Sequence, residues 1–143
     1  MSHSRIAAVL IAVLLLAAAR SPAAESFVVI VNAANSATMT RDEIADVFMK
    51  RITRWSPSGA PIVVVDELPS SPVRQEFSRV VLRRGVEAME AYWQQQIFSG
   101  RDVPPVVKET DDDVLAFVRR NPGAIGYVSA GANLDGVRAV RWK

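Results

Sequence analysis

Two short runs of consecutive apolar, mostly β-branched residues constrain the fold of this chain more than any other feature. They are Phe27–Val31 (FVVIV) and Pro61–Val65 (PIVVV). An apolar residue at nearly every position, without alternation, is typical of a strand that is buried on both faces, as in a parallel sheet covered by helices. Because segments with helical periodicity follow each run, the sequence predicts an α/β fold with a mostly parallel sheet.

The remaining elements are predicted from caps, turns and periodicity. Thr40 and Glu43 form a capping box, and Ser71 before Pro72 is a good helix start. Helices are expected after Thr40, from Ser71 to Gly85, from Val86 to near Gly100, and from Thr110 to Arg120. Further strands are expected over Val103–Val107, which Pro104 and Pro105 weaken, and over Ala124–Ser129 and Val137–Val140.

The first 24 residues have the pattern of a secretory signal. Arg5 supplies a positive start, Ile6–Ala19 is uncharged over 14 residues, and small residues surround Ala23. That apolar stretch is short for a membrane span, which needs about 20 residues. We therefore expect a signal peptide over residues 1–24 and a domain over 25–143 in a periplasmic or secreted protein. An uncleaved membrane anchor is the alternative interpretation.

Composition excludes several functional classes. Residues 25–143 carry 15 acidic residues, and 15 basic ones once Arg5 and Arg20 are subtracted from 17, so their formal net charge is zero. The electrostatic argument for nucleic-acid binding is thereby lost. The one His is His3 and there is no Cys, so one mature chain cannot form a Ser-His-Asp or Cys-His centre or an imidazole or thiolate zinc site. We expect no enzyme, no metal and no cofactor.

Ser70, Ser71 and Arg74 are the candidate ligand-binding residues. Serine hydroxyls at a helix start can hold an anion, and an arginine can add a charge-assisted hydrogen bond. The alternative is that Ser71 only caps the helix. The run Asp111–Asp113 has a similar structural interpretation, because acids in a first helical turn complement the helix dipole.

Three segments, in order, resemble phosphate ABC-transporter substrate-binding proteins. Thr40–Trp55 (TRDEIADVFMKRITRW) is similar to the stretch of that family with the pattern LT-x-x-x-L-x-x-I-F-x-G-K-I-x-x-W. Ile62–Phe77 (IVVVDELPSSPVRQEF) resembles its strand, its Gly- and Thr-rich loop and the helix that follows. Asn121–Ser129 (NPGAIGYVS) is close to its PGAIGYV motif.

The resemblance implies one lobe of a type II periplasmic-binding-protein fold. In the family, serine and threonine hydroxyls and helix-start amides hold phosphate. Here Ser71 matches the family serine, whereas Pro72 lacks an amide donor, Val73 lacks a hydroxyl, and Glu67 would repel an anion. Ser70 and Arg74 are the available substitutes.

Length separates this chain from a complete receptor, because a two-lobed binding protein needs roughly twice as many residues. Two functional hypotheses therefore stand: weak binding of phosphate or another small oxyanion, alone or with a partner, and a periplasmic protein-interaction module that has lost its ligand. A homodimer or a periplasmic protein partner fits either hypothesis. Membrane contact is expected only through an uncleaved signal or a transporter.

Overall fold

The computed structural model of the protein describes residues 26–142. The expected signal peptide over residues 1–24 therefore lies outside the described residues. The strands are β1 (Phe27–Asn32), β2 (Val63–Glu67), β3 (Val106–Lys108), β4 (Ala124–Ser129) and β5 (Val137–Val140). The helices are α1 (Arg41–Phe48), α2 (Pro72–Phe77), which continues as a π-helical segment over Ser78–Leu82, α3 (Val86–Phe98) and α4 (Asp111–Arg120).

The five strands form one sheet in the order β3-β2-β4-β1-β5, with helices packed against it. This confirms the α/β class and the single-lobe architecture. In detail the sheet is mixed rather than mostly parallel. β2 is parallel to β3 and β4, whereas β1 is antiparallel to β4 and β5. The apolar run of β1 correctly predicts burial on both faces, but burial does not determine strand direction.

Local caps form where the sequence predicts them. Thr40 accepts from the backbone N–H of Glu43, and the Glu43 carboxylate accepts from the N–H of Thr40 at 2.7 Å. At the C-terminal end of a different helix, α4, the Asn32 amide donates to the carbonyls of Val118 and Arg119 at 2.9 and 3.1 Å. The last residue of β1 thus satisfies carbonyls that a helix C-terminus leaves free.

The two faces of the sheet bury separate apolar clusters. The larger one lies under α1 and α2 and includes stacked rings of Phe77 and Tyr127 with centroids 4.0 Å apart. The smaller one lies under α4, around Ile30 and Val114. Trp93 of α3 is 5% exposed and packs with Met49 and Met89 in a third cluster.

The glycines of the Asn121–Ser129 motif permit close packing. A Cβ at Gly123 would lie 2.5 Å from the carbonyl oxygen of Pro61. One at Gly126 would lie 2.6 Å from the side chain of Val65 and 3.0 Å from that of Val114. Both positions therefore need glycine for steric reasons. No helix within residues 26–142 is long and apolar enough to cross a membrane.

Candidate functional site

A hollow of about 370 Å³ lies at the carboxyl ends of β2 and β4, where α2 and α4 begin. Ligands of open α/β sheets commonly bind at this edge, beyond the carboxyl ends of the strands. The lining residues come from the ends of these strands and the first turns of these helices. They are Glu67, Ser71, Pro72, Val73, Glu109, Thr110, Asp111, Asp112 and Ser129.

Ser71 lies in this hollow, but its hydroxyl already has partners within the protein. It accepts from the backbone N–H of Arg74 at 3.4 Å and donates to a carboxylate oxygen of Glu67 at 3.2 Å. Ser70 is exposed in the turn just before it. The structure therefore supports Ser71 as the helix cap, and the ligand role of both serines stays a prediction.

Arg74 points away from the hollow. Its side chain is buried and donates to the backbone carbonyl of Glu67 at 2.7 Å and to the carboxylate of Glu90 at 2.9 Å. Its Nε lies 3.6 Å from a carboxylate oxygen of Asp66. The guanidinium thus neutralises acids on the opposite side of β2, so the structure does not bring together the three candidate residues.

Glu67 and Asp111 dominate the electrostatics of the hollow. Burial, together with the negative charge of Asp111, raises the pKa of Glu67 to about 7. The carboxylate of Asp111 accepts from the backbone N–H of Ser129 at 3.2 Å, which anchors it at the end of β4. The hollow therefore holds acids that face each other and lacks a basic residue among its lining.

Asp66 is a buried acid that sequence reasoning did not single out. Burial raises its pKa, whereas Arg74 and a hydrogen bond donated by the hydroxyl of Tyr127 oppose that effect. Among residues 26–142, no group of three or more His, Cys, Asp or Glu side chains is placed to hold a metal ion. The signal that could have identified Asp66 is its position, next to Glu67, at the end of an apolar strand. Strand ends of this kind meet at one edge of the sheet.

The fold and the edge hollow define a lobe of the solute-binding-protein class. The chain belongs to the PBP superfamily domain family, whose model matches residues 16–140. No curated protein is significantly similar to it in sequence.

Several solved structures share the fold over 82% of this chain. An ABC-type phosphate transport receptor from Vibrio cholerae is 23% identical with a TM-score of 0.64, and 46% of that protein is covered. A protein from Clostridium perfringens described as a phosphate ABC transporter substrate-binding protein, solved with phosphate bound, is 27% identical with a TM-score of 0.64 and 44% coverage. PstS from Borrelia burgdorferi is 19% identical, also with a TM-score of 0.64, and is covered over 47%.

These comparisons confirm the predicted relationship to phosphate-transport binding proteins. The chain spans less than half the length of each of these relatives. What the relatives bind therefore bears on this chain only as a hypothesis.

Proposed function

We propose that this chain is an exported solute-binding-type lobe that acts by contacting another protein and no longer holds phosphate tightly. One observation carries the proposal. Four acidic residues line the hollow at the strand ends, namely Glu67, Glu109, Asp111 and Asp112, and its lining contains no Lys or Arg. The charge of the hollow is thus opposite to the one that an oxyanion requires.

Magnitudes support this interpretation. A phosphate enclosed on one side only gains about 4 kcal/mol, which corresponds to a millimolar Kd. Two unit charges about 5 Å apart interact by roughly 3 kcal/mol near a protein surface. Repulsion from a single ionised carboxylate therefore offsets most of the gain, and this hollow contains several carboxylates.

The non-enzymatic and exported character of the chain is part of the same proposal. The relatives named above are described as a transport receptor and a substrate-binding protein, and residues 25–143 lack His and Cys. The signal pattern of residues 1–24 supports export of a domain over residues 25–143. Fractionation of cells that express the full sequence tests it. Recovery of the intact, unprocessed chain from the cytoplasm would contradict export.

Weak binding of phosphate or a similar oxyanion is the second candidate function. It is favoured by three hydroxyl-bearing residues that line the same hollow, Ser71, Thr110 and Ser129. On this alternative a partner that covers the open side of the hollow would supply the missing contacts.

Titration calorimetry with inorganic phosphate, up to about 10 mM, separates the two candidates. We expect no heat of binding from the wild-type chain. At about pH 8, where Glu67 is ionised, the double variant Glu67→Gln/Asp111→Asn removes the two least exposed negative charges of the hollow while keeping acceptors for Ser71 and Ser129. Glu109 and Asp112 remain, but both are exposed and water and salt screen their repulsion. We therefore expect the double variant to gain millimolar binding.

The matched control is Asp42→Asn/Glu87→Gln, which removes the same charge from the exposed surfaces of α1 and α3. It should remain without binding. Submillimolar binding by the wild-type chain, lost in Ser71→Ala, would overturn the proposal in favour of oxyanion binding. If neither the wild-type chain nor the double variant bound phosphate, the loss of binding would be supported and its cause would be the missing opposing wall.

A further inference from the structure

The large hydrophobic residues exposed in the described chain are concentrated in one corner of the fold. They come from the last turn of α3, the α3–β3 connection, β3 and the loop after β2. They are Leu68, Ile97, Phe98, Val103, Val106 and Val107. Val106 is set apart from the others, because it pairs with Val65 and faces the α4 side of the sheet, whereas Val107 pairs with Asp66 on the groove side. Exposed apolar residues on a monomer are ordinarily scattered singly, and a contiguous group of this kind is typical of an interaction surface.

Part of this corner is concave. A groove of about 330 Å³ lies between α3 and β3, with Leu68, Ile97 and Val107 among its walls and Trp93 beside them. Pro104 and Pro105 also line it. An apolar cavity of about 150 Å³ is enough for a benzene molecule, so this groove can admit an aromatic side chain.

A convex apolar residue stands next to the groove. Phe98 is 88% exposed and directly follows Ile97, a residue of the groove wall. A two-fold symmetric interface requires one surface that carries both a protrusion and the recess that accepts it. This corner meets that requirement within a single copy of the chain.

We propose that the groove binds a second copy of this chain, with Phe98 of each copy inserted in the groove of the other. The inference rests on the proposed interaction function and names its partner and its surface. Side chains rather than strand pairing would form most of the contact, because β3 is only 3 residues long and Pro104 and Pro105 before it cannot join a longer ladder.

Area and charge are compatible with self-association. Taking roughly 180 Å² for a fully exposed large residue, the five residues other than Val106 expose about 500 Å² of surface, more than half of the about 800 Å² per partner found in standard interfaces. The acidic and basic residues of 25–143 balance to zero, so net charge does not oppose contact between copies. The half-exposed carboxylate of Glu90 and the exposed Gln94 supply a polar rim at the groove.

Sedimentation velocity on the processed protein, purified after expression of the full sequence, tests the proposal over about 1 to 300 µM. We expect a monomer–dimer equilibrium whose Kd rises at least tenfold in Phe98→Glu and in Leu68→Glu. The control Gln95→Glu adds the same charge to α3 outside the groove lining and should leave the Kd unchanged. A chain that remains monomeric throughout, or a dimer that neither variant weakens, would overturn the proposal.

Cross-linking tests the geometry independently, because the chain contains no cysteine of its own. An oxidised mixture of Phe98→Cys and Leu68→Cys should yield mainly the mixed disulfide-linked dimer, whereas Gln95→Cys mixed with Leu68→Cys should not. Equal yields in the two mixtures would contradict the insertion of Phe98 in the partner's groove.

The proposed function and the proposed dimer can be contradicted independently. Submillimolar phosphate binding by the wild-type chain, lost in Ser71→Ala, would overturn the proposed function in calorimetry and leave the sedimentation result standing. A monomeric chain that captures a different protein, with capture lost in Phe98→Glu, would overturn the dimer and retain the interaction function.

Discussion

The acidic hollow and the apolar groove lie on opposite sides of the same short connection, the end of β2 and the start of α2. They differ in whether their acidic residues have a basic neighbour. Successive residues of a strand point to opposite faces. Asp66 accordingly lines the groove and Glu67 lines the hollow. On the groove side Arg74 neutralises Asp66, whereas on the hollow side Glu67 lies near Asp111 without a basic residue in the lining.

This difference shows that an arginine near a helix start can stabilise the fold instead of binding a ligand. A guanidinium near a helix start is an apparent anion-binding group, but Arg74 is 5% exposed and donates its hydrogen bonds to the carbonyl of Glu67 and the carboxylate of Glu90. Its Nε also forms an ion pair with Asp66 at 3.6 Å. The hollow therefore keeps its hydroxyls and loses its positive charge. Three predictions test this comparison.

Substitution of Arg74 should have the largest effect. Arg74→Met leaves Asp66 buried without its cation, and breaking a buried ion pair from one side costs about 3–5 kcal/mol. We expect that loss in the free energy of unfolding, measured by urea denaturation. The control Arg79→Met removes an arginine whose pair with Glu76 is exposed, and its transition should stay near that of the wild type.

A double variant sharpens the test of this buried pair. Asp66→Asn/Arg74→Met removes both charges, so it should be more stable than Arg74→Met alone. If Arg74→Met were as stable as the wild type, the pair would not be structural and Arg74 would be available for a ligand.

The pKa of Glu67 predicts an intermediate, pH-dependent effect. Its carboxyl titrates near 4.5 in the unfolded chain and near 7 in the folded one. Below about pH 4.5 both states are protonated and there is no penalty. Between these values only the folded state retains the proton, so folding stability falls as pH rises and the full penalty is present above about pH 7.

We expect Glu67→Gln to remove about 1–2 kcal/mol of this pH-dependent decrease in the free energy of unfolding. The value allows for screening by solvent, because the carboxyl group borders an open hollow. Urea denaturation at about pH 5 and pH 8 measures it. The control Glu87→Gln should follow the wild-type pH dependence. A Glu67→Gln profile identical to that of the wild type would show that Glu67 is ordinarily ionised.

The serines should give the smallest effect. Ser71→Ala removes the cap of α2 and should cost about 1 kcal/mol of stability, whereas the exposed Ser70→Ala should change it little. Neither variant should alter the heat measured with phosphate. A loss of anion binding in Ser71→Ala without a loss of stability would identify Ser71 as a ligand residue instead of a cap.

Much of the fold was predictable from local signals. The apolar runs located β1 and β2, the capping residues Thr40 and Ser71 located two helix starts, and the motif ending at Ser129 located β4 with its observed bounds. The direction of β1 was not predictable, because two-sided burial produces the same composition in either orientation. Likewise β3 is shorter than the expected Val103–Val107, since Pro104 and Pro105 cannot join the hydrogen-bonding ladder.

The sequence by itself determined the class of the fold, the positions of most elements and the departures from the family's anion-binding loop at residues 67–74, because strand burial, caps and missing donors are local properties. Only the tertiary structure decided the direction in which Arg74 points, the meeting of Glu67 with Asp111, and the gathering of exposed apolar residues at one corner. These features depend on which segments, distant in sequence, the sheet order brings together. A buried charged group then pairs with the neighbour that best offsets its loss of hydration.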